Sequence, residues 1–197
     1  MKGPLTMTQR IPGFKGEYLW ELEIPEKQLT ALAEAIPADK YSWRPAGRAR
    51  SVSEVLVHIA VGNFLLLDVV GVPLPADLYG QIEGEGYQRM LAVIRKNDGF
   101  EKAITAKADV APLLARSLAA VKTSFTERSD ADLAKPGPVF GEESTARRVY
   151  LRMLAHMHEH MGQMVAYTRT MGNPAPWPDW RAAAGLGALR RLRRHPG

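Results

Sequence analysis

Residues 51–70 read SVSEVLVHIAVGNFLLLDVV, and the class of the protein hangs on whether this run crosses a bilayer or is buried by protein. The longest apolar run within it, Val55 to Val70, is interrupted by His58, Gly62, Asn63 and Asp68. At 16 residues it is also shorter than the roughly 20 needed to span a membrane. It reads as a helix buried inside a soluble helical protein. Ser51 and Ser53 are both competent N-caps for it, and Gly71 with Pro73 would stop it.

Helical patterning continues on both sides, and no convincing alternating strand emerges. A first helix is expected within Tyr18 to Ile36, its regular part starting at Pro25 and ending at Pro37. KYSWRPAGRAR, residues 40–50, is an extended linker into the second helix. Residues 71–108 are a long connection rich in Gly and Pro, with a short helix expected around Tyr87 to Lys96. A third long helix should begin near Asp109, tolerate Pro112 in its first turn and reach about Arg128. SDADLAKPGPVFGEES, residues 129–144, reads as a loop, and a fourth long helix should run from about Ser144 to Met171, ended by Gly172. The pattern predicts an all-α four-helix bundle with a long crossover between helices 2 and 3, which would let those two helices run parallel.

Composition narrows the chemistry. With no cysteine in 197 residues, disulfides, thiolate metal sites and cysteine nucleophiles are excluded. The formal charge of +5 is carried by Arg181, Arg190, Arg191, Arg193 and Arg194 in the last 17 residues, so residues 1–180 are formally neutral. One helical domain, 1–180, followed by a basic flexible tail, 181–197, is the expected organisation. No nucleic-acid footprint marks the domain, no membrane span is expected, and the N-terminus lacks a signal-peptide core, so a cytoplasmic protein is expected. No Ser-His-Asp order or phosphate-cradling glycine loop stands out.

Three of the five histidines fall within HMHEH, residues 156–160. At 100 degrees per residue, His156 and His160 lie about 40 degrees apart on one helical face, whereas His158 is about 200 degrees from His156. His156 and His160 can therefore share one ion, and His158 cannot join them. Leu151, Leu154, Met161 and Val165 share the side of His158, which reads as a packing or hydrogen-bonding residue. The spacing is not that of a zincin, because residue 157 is Met and not Glu. A third ligand is needed, and His58 is the one other histidine in a helix. It is either a satisfied core residue or the completion of a three-imidazole site with open coordination positions. Asn63 and Gln163 could orient a ligand or satisfy buried backbone. Glu54, one turn before His58, could support an imidazole N–H or be an exposed helix glutamate.

WRPAGRARSVSEVLVHIA (43–60) and HMHEHMGQMVAYTRTMGNPAPW (156–177) together resemble the DinB-like superfamily of small four-helix proteins. The resemblance rests on YSWRP, one histidine in the second helix, His-x3-His-x-Gly-Gln and a closing Gly-x-x-x-Pro, and it spans Tyr18 to Trp180. It implies that His58, His156 and His160 bind one divalent metal, zinc or nickel, and that the protein is a homodimer. Some members of the superfamily are thiol-dependent transferases using low-molecular-weight thiols. The expectation is thus a metal-dependent transferase or hydrolase acting on an unknown small molecule. The alternative is a non-catalytic dimeric bundle that binds a metal or small ligand.

Overall fold

Seven helices and one β-hairpin make up the computed structural model, which describes residues 13–139 and 142–177. The helices are α1 (Gly13–Ala35), α2 (Val52–Val69), α3 (Ala76–Tyr79), α4 (Gly86–Ala103), α5 (Lys107–Glu127), α6 (Asp130–Ala134) and α7 (Ala146–Thr170). The basic tail from 181 onward lies outside the described residues.

Four long helices form the bundle. α1 packs against α5 and α7, and α2 packs against the same two, so α1 and α2 lie diagonally. Asn63 Nδ2 donates to Ser117 Oγ at 3.2 Å, and Arg128 Nη2 donates to the Val70 carbonyl at 2.6 Å. The middle of α2 therefore meets the middle of α5, and their C-terminal ends coincide. The two helices run parallel, as the long crossover allows. Tyr167 near the end of α7 bonds the Arg50 carbonyl just before α2, so α7 runs antiparallel to α2.

α2 is the element the rest is built around. Ser51 caps it, accepting from Glu54 N, while Glu54 Oε2 accepts from Ser51 N at 2.7 Å, which is a complete capping box. The alternative cap, Ser53, lies inside the helix. Gly71, at φ +83°, ends the run with a backbone conformation that favours glycine. By length and composition α2 is apolar enough to cross a membrane, but 67% of it is buried inside the bundle. α4 covers the α2 surface that α5 and α7 leave, which explains why apolar residues encircle this helix.

Three expectations need correction. α1 begins at Gly13 and continues through Pro25. Tyr18, Leu22, Pro25, Leu29, Leu32 and Ile36 recur at four- and three-residue steps and are all buried, so core packing overrides the backbone cost of an interior proline. α4 is longer than the Tyr87–Lys96 segment because Asn97 and Glu101, polar residues that break its apolar pattern, are buried and partnered. The loop after α5 holds α6 and an antiparallel hairpin, Pro136–Val139 with Glu142–Thr145. Pro136 and Pro138 hide the first strand, since proline cannot donate to a ladder and is tolerated only at an edge. Thr145, at the end of the hairpin, caps α7.

Candidate metal centre

His58 lies in the second turn of α2, and His156 and His160 lie one turn apart on α7. Antiparallel packing of the two helices brings the three imidazoles together. Their ring centroids are 4.9 Å (His58–His156), 4.7 Å (His58–His160) and 4.6 Å (His156–His160) apart. One nitrogen from each ring lies within 4.8 Å of the other two, and His58 Nε2 is 3.1 Å from His156 Nε2. Zinc–imidazole bonds of about 2.0–2.1 Å in a tetrahedron place ligand nitrogens about 3.3 Å apart. The donor set fits a divalent ion such as zinc, with room for further ligands.

The groups behind the imidazoles are as specific as the imidazoles themselves. His58 Nδ1 lies 2.6 Å from Glu101 Oε1 of α4, and Arg50 Nε donates to Glu101 Oε2 at 2.7 Å. His160 Nδ1 lies 2.8 Å from Gln163 Oε1, and Gln163 Nε2 donates to Tyr167 Oη at 2.8 Å. His156 has no such support. Its Nδ1 is buried and has no hydrogen-bond partner among the described residues. Its ring lies against Gly62, where an added Cβ would be only 2.7 Å from Cε1. Glycine at 62 is therefore a condition for this ring position.

Electrostatics favour the neutral form of His156 and His160 and the ionised form of Glu101. Burial, and then the neighbouring His160 and His58, push the His156 imidazole down to about 3. Burial lowers His160 too, against the Gln163 hydrogen bond, which acts the other way. Burial alone would raise the Glu101 carboxyl, but the hydrogen bonds from His58 and Arg50 outweigh it and hold it below the ordinary carboxylate value. Neutral imidazoles are the form in which histidine binds metals.

A cavity of about 210 Å³ opens beside His58 and His156. Val61, Leu65 and Leu66 of α2 and Ile94 of α4 give it apolar walls, and Arg152 lies at its border. Arg152 is held by Glu159 through two hydrogen bonds, 3.1 and 2.8 Å, on the exposed side of α7.

Gln163 is the one expected supporting residue that reaches a histidine. Asn63 is fully buried and bonds Ser117 on α5, and Glu54 serves the α2 cap and pairs with Arg44 at 3.2 Å. His158 points toward α1, with Nε2 3.6 Å from Glu21 Oε1, on the face opposite the cluster. Trp43 packs edge-on against Tyr167, centroids 5.4 Å apart. Glu101, Arg50 and Tyr167 were not foreseen. Tyr167 was within reach, because 160, 163 and 167 follow helical three- and four-residue steps. Nothing local distinguishes Glu101, whose role depends on α4 folding back over α2.

A helical bundle carrying an all-histidine cluster between two of its antiparallel helices is thus the class of protein. The family model described as the DinB superfamily matches residues 21–164, and the chain belongs to that superfamily. No curated protein matches it. Among solved structures, a DinB-like protein from Bacillus cereus ATCC 10987 is similar at 21% identity and TM-score 0.49, covering 88% of this chain and 100% of its own. A DinB-like protein from Bacillus subtilis is 17% identical, with TM-score 0.49 over 80% of this chain and 93% of its own. An uncharacterized protein from Clostridium difficile 630, at 14% identity and TM-score 0.60 over 81% of this chain and 98% of its own, shares the fold.

Proposed function

We propose that His58, His156 and His160 hold one divalent metal ion, zinc or nickel, in a metal-dependent transferase or hydrolase. The reading rests on the convergence of three imidazoles, two of which, His58 and His156, line a cavity large enough for a small organic molecule. A metal bound there supplies a Lewis acid that can polarise an electrophile or activate a water or thiol. The chain's own residues do the rest. Glu101 and Gln163 orient two of the ligands, Gly62 leaves space for the third, and Val61, Leu65 and Ile94 offer apolar walls to an apolar part of the substrate. In the transferase form of the proposal, a low-molecular-weight thiol is the co-substrate. The proposal includes a cytoplasmic homodimer. Trp20 on α1 and Leu151 on α7 are exposed apolar residues on a pair of packed helices, which suits a second copy as partner.

Metal content is the deciding experiment, measured by plasma mass spectrometry on untagged protein never exposed to a nickel column. About one zinc or nickel per chain is expected, lost in His58→Ala. A metal-free wild type, even after incubation with several divalent ions, would favour a non-catalytic bundle. Thiols screened with electrophilic substrates then separate enzyme from binding module, because turnover should disappear in His156→Ala.

A further inference from the structure

The hydrogen bonds behind His58 and His160 meet in a single residue. Arg50 precedes α2 and makes two bonds of different kinds. Its guanidinium donates to Glu101, while its backbone carbonyl accepts from Tyr167 Oη at 3.0 Å. We propose that Tyr167 and Arg50 close a hydrogen-bonded circuit that fixes His58 and His160 in one tautomer, each presenting Nε2 to the shared centre. Tyr167 is thereby a positioning residue for the metal. This inference rests on the metal reading above for its purpose, though not for its geometry.

One group in the circuit has a fixed role. A backbone carbonyl only accepts, so the Tyr167 hydroxyl must give its one proton to Arg50. Its oxygen is then left to accept, and the Gln163 partner at 2.8 Å must be the donating NH2. With the amide turned that way, Oε1 faces His160, and an amide oxygen can only accept. His160 Nδ1 therefore carries the proton, and its Nε2 carries the lone pair. On the other branch, the Glu101 carboxylate accepts from Arg50 Nε at 2.7 Å and has no proton to give, so it also accepts from His58 Nδ1. In the neutral ring that binds a metal, His58 Nε2 then carries the lone pair. One residue thus dictates both tautomers, through its main chain on one side and its side chain on the other.

His156 stands outside the circuit. Its buried Nδ1 has no partner among the described residues, and its ring is set by packing against Gly62 and by Nε2 lying 3.1 Å from His58 Nε2. Two ligands are held from behind by hydrogen bonds, and the third is not.

The test uses the full chain stripped with a chelator, with histidine tautomers read by nitrogen NMR and zinc affinity read by competition with a chromophoric chelator. Wild type should show Nδ1–H at both His58 and His160. Tyr167→Phe keeps the ring against Trp43 and removes only the hydroxyl. It should release His160 into a mixture of tautomers, leave His58 unchanged and weaken zinc about tenfold. Nε2–H at His160 in wild type would overturn the circuit. So would a Tyr167→Phe chain with unaltered tautomers. Altered tautomers with unaltered zinc affinity would overturn the positioning role. A wild type with no zinc affinity would end the metal reading, and the tautomer measurements would then decide the circuit by themselves.

Discussion

His58 Nδ1 and Glu101 Oε1 are 2.6 Å apart, although 43 positions separate them in the chain and they belong to different helices. This contact makes α4, a helix inside the crossover, part of the candidate metal centre. A histidine whose rear nitrogen is bound by a carboxylate is a more basic and better oriented ligand.

Replacing Glu101 by Gln should therefore weaken zinc by about 10- to 100-fold without unfolding the bundle. The amide can still accept from His58, but it cannot also pair with the Arg50 charge. Calorimetric zinc titration beside circular dichroism checks this, and an affinity equal to wild type would remove Glu101 from the centre.

Gly62→Ala separates stability from metal binding. Alanine in a helix interior gains about 1 kcal/mol over glycine. Crowding His156 costs about 1–3 kcal/mol, because the new Cβ would lie 2.7 Å from Cε1. Net destabilisation should be no more than about 2 kcal/mol. The displaced ring should nonetheless lower zinc affinity by about tenfold or more. A variant that binds zinc normally would show that the His156 ring has another place to go.

Acid should destabilise the chelator-treated protein in a defined window. His156 titrates at about 3 in the fold, below its ordinary value of 6.5, so between those pH values the unfolded chain binds more protons. Stability is then fully present above about pH 6.5 and falls as pH drops, with a slope of up to about 1.4 kcal/mol per pH unit from this group. His160 acts in the same direction, and Glu101, held below its ordinary value, adds to the loss at more acid pH. Urea midpoints at several pH values test the sign. A flat profile from 6.5 to 4 would contradict the burial of neutral imidazoles.

Pro25→Ala should stabilise the protein. Restoring a backbone donor inside α1 gains up to about 3 kcal/mol. Losing two buried ring methylenes costs about 1.6 kcal/mol. The balance is about 1 kcal/mol, or a Tm higher by about 2–4 °C, readable by calorimetry. A lower Tm would mean that the packing of the Pro25 ring outweighs the missing bond.

The long helices were legible because their signals are local. Ser51 with Glu54, Gly71 and Gly172 punctuate α2 and α7, and apolar spacing marks their buried faces. The pairing of His156 with His160 followed from helical geometry alone, and His58 stood out as a histidine in an otherwise apolar run. What stayed hidden depends on tertiary partners. Pro25 reads as a boundary until its ring is seen buried in the core. Asn97 and Glu101 lie beyond the expected Tyr87–Lys96 helix and find their partners only once α4 is laid across α2. The hairpin is masked by Pro136 and Pro138, which are tolerable because, among the described residues, only the second hairpin strand pairs with that strand.

The diagonal placement of α1 and α2 also governs how the chain can be made. α2 packs chiefly on α4, α5 and α7, all of which follow it in the sequence. At about 5–20 residues per second, the roughly 60 residues from Val69 to Glu127 take about 3–12 seconds to emerge from a ribosome. Until α4 emerges, an 18-residue segment with the hydropathy of a membrane span has none of these later partners, and until α5 is complete it has only one of the three. The nascent chain would suit a holding chaperone in that interval, and α7 is the last of the three partners to emerge.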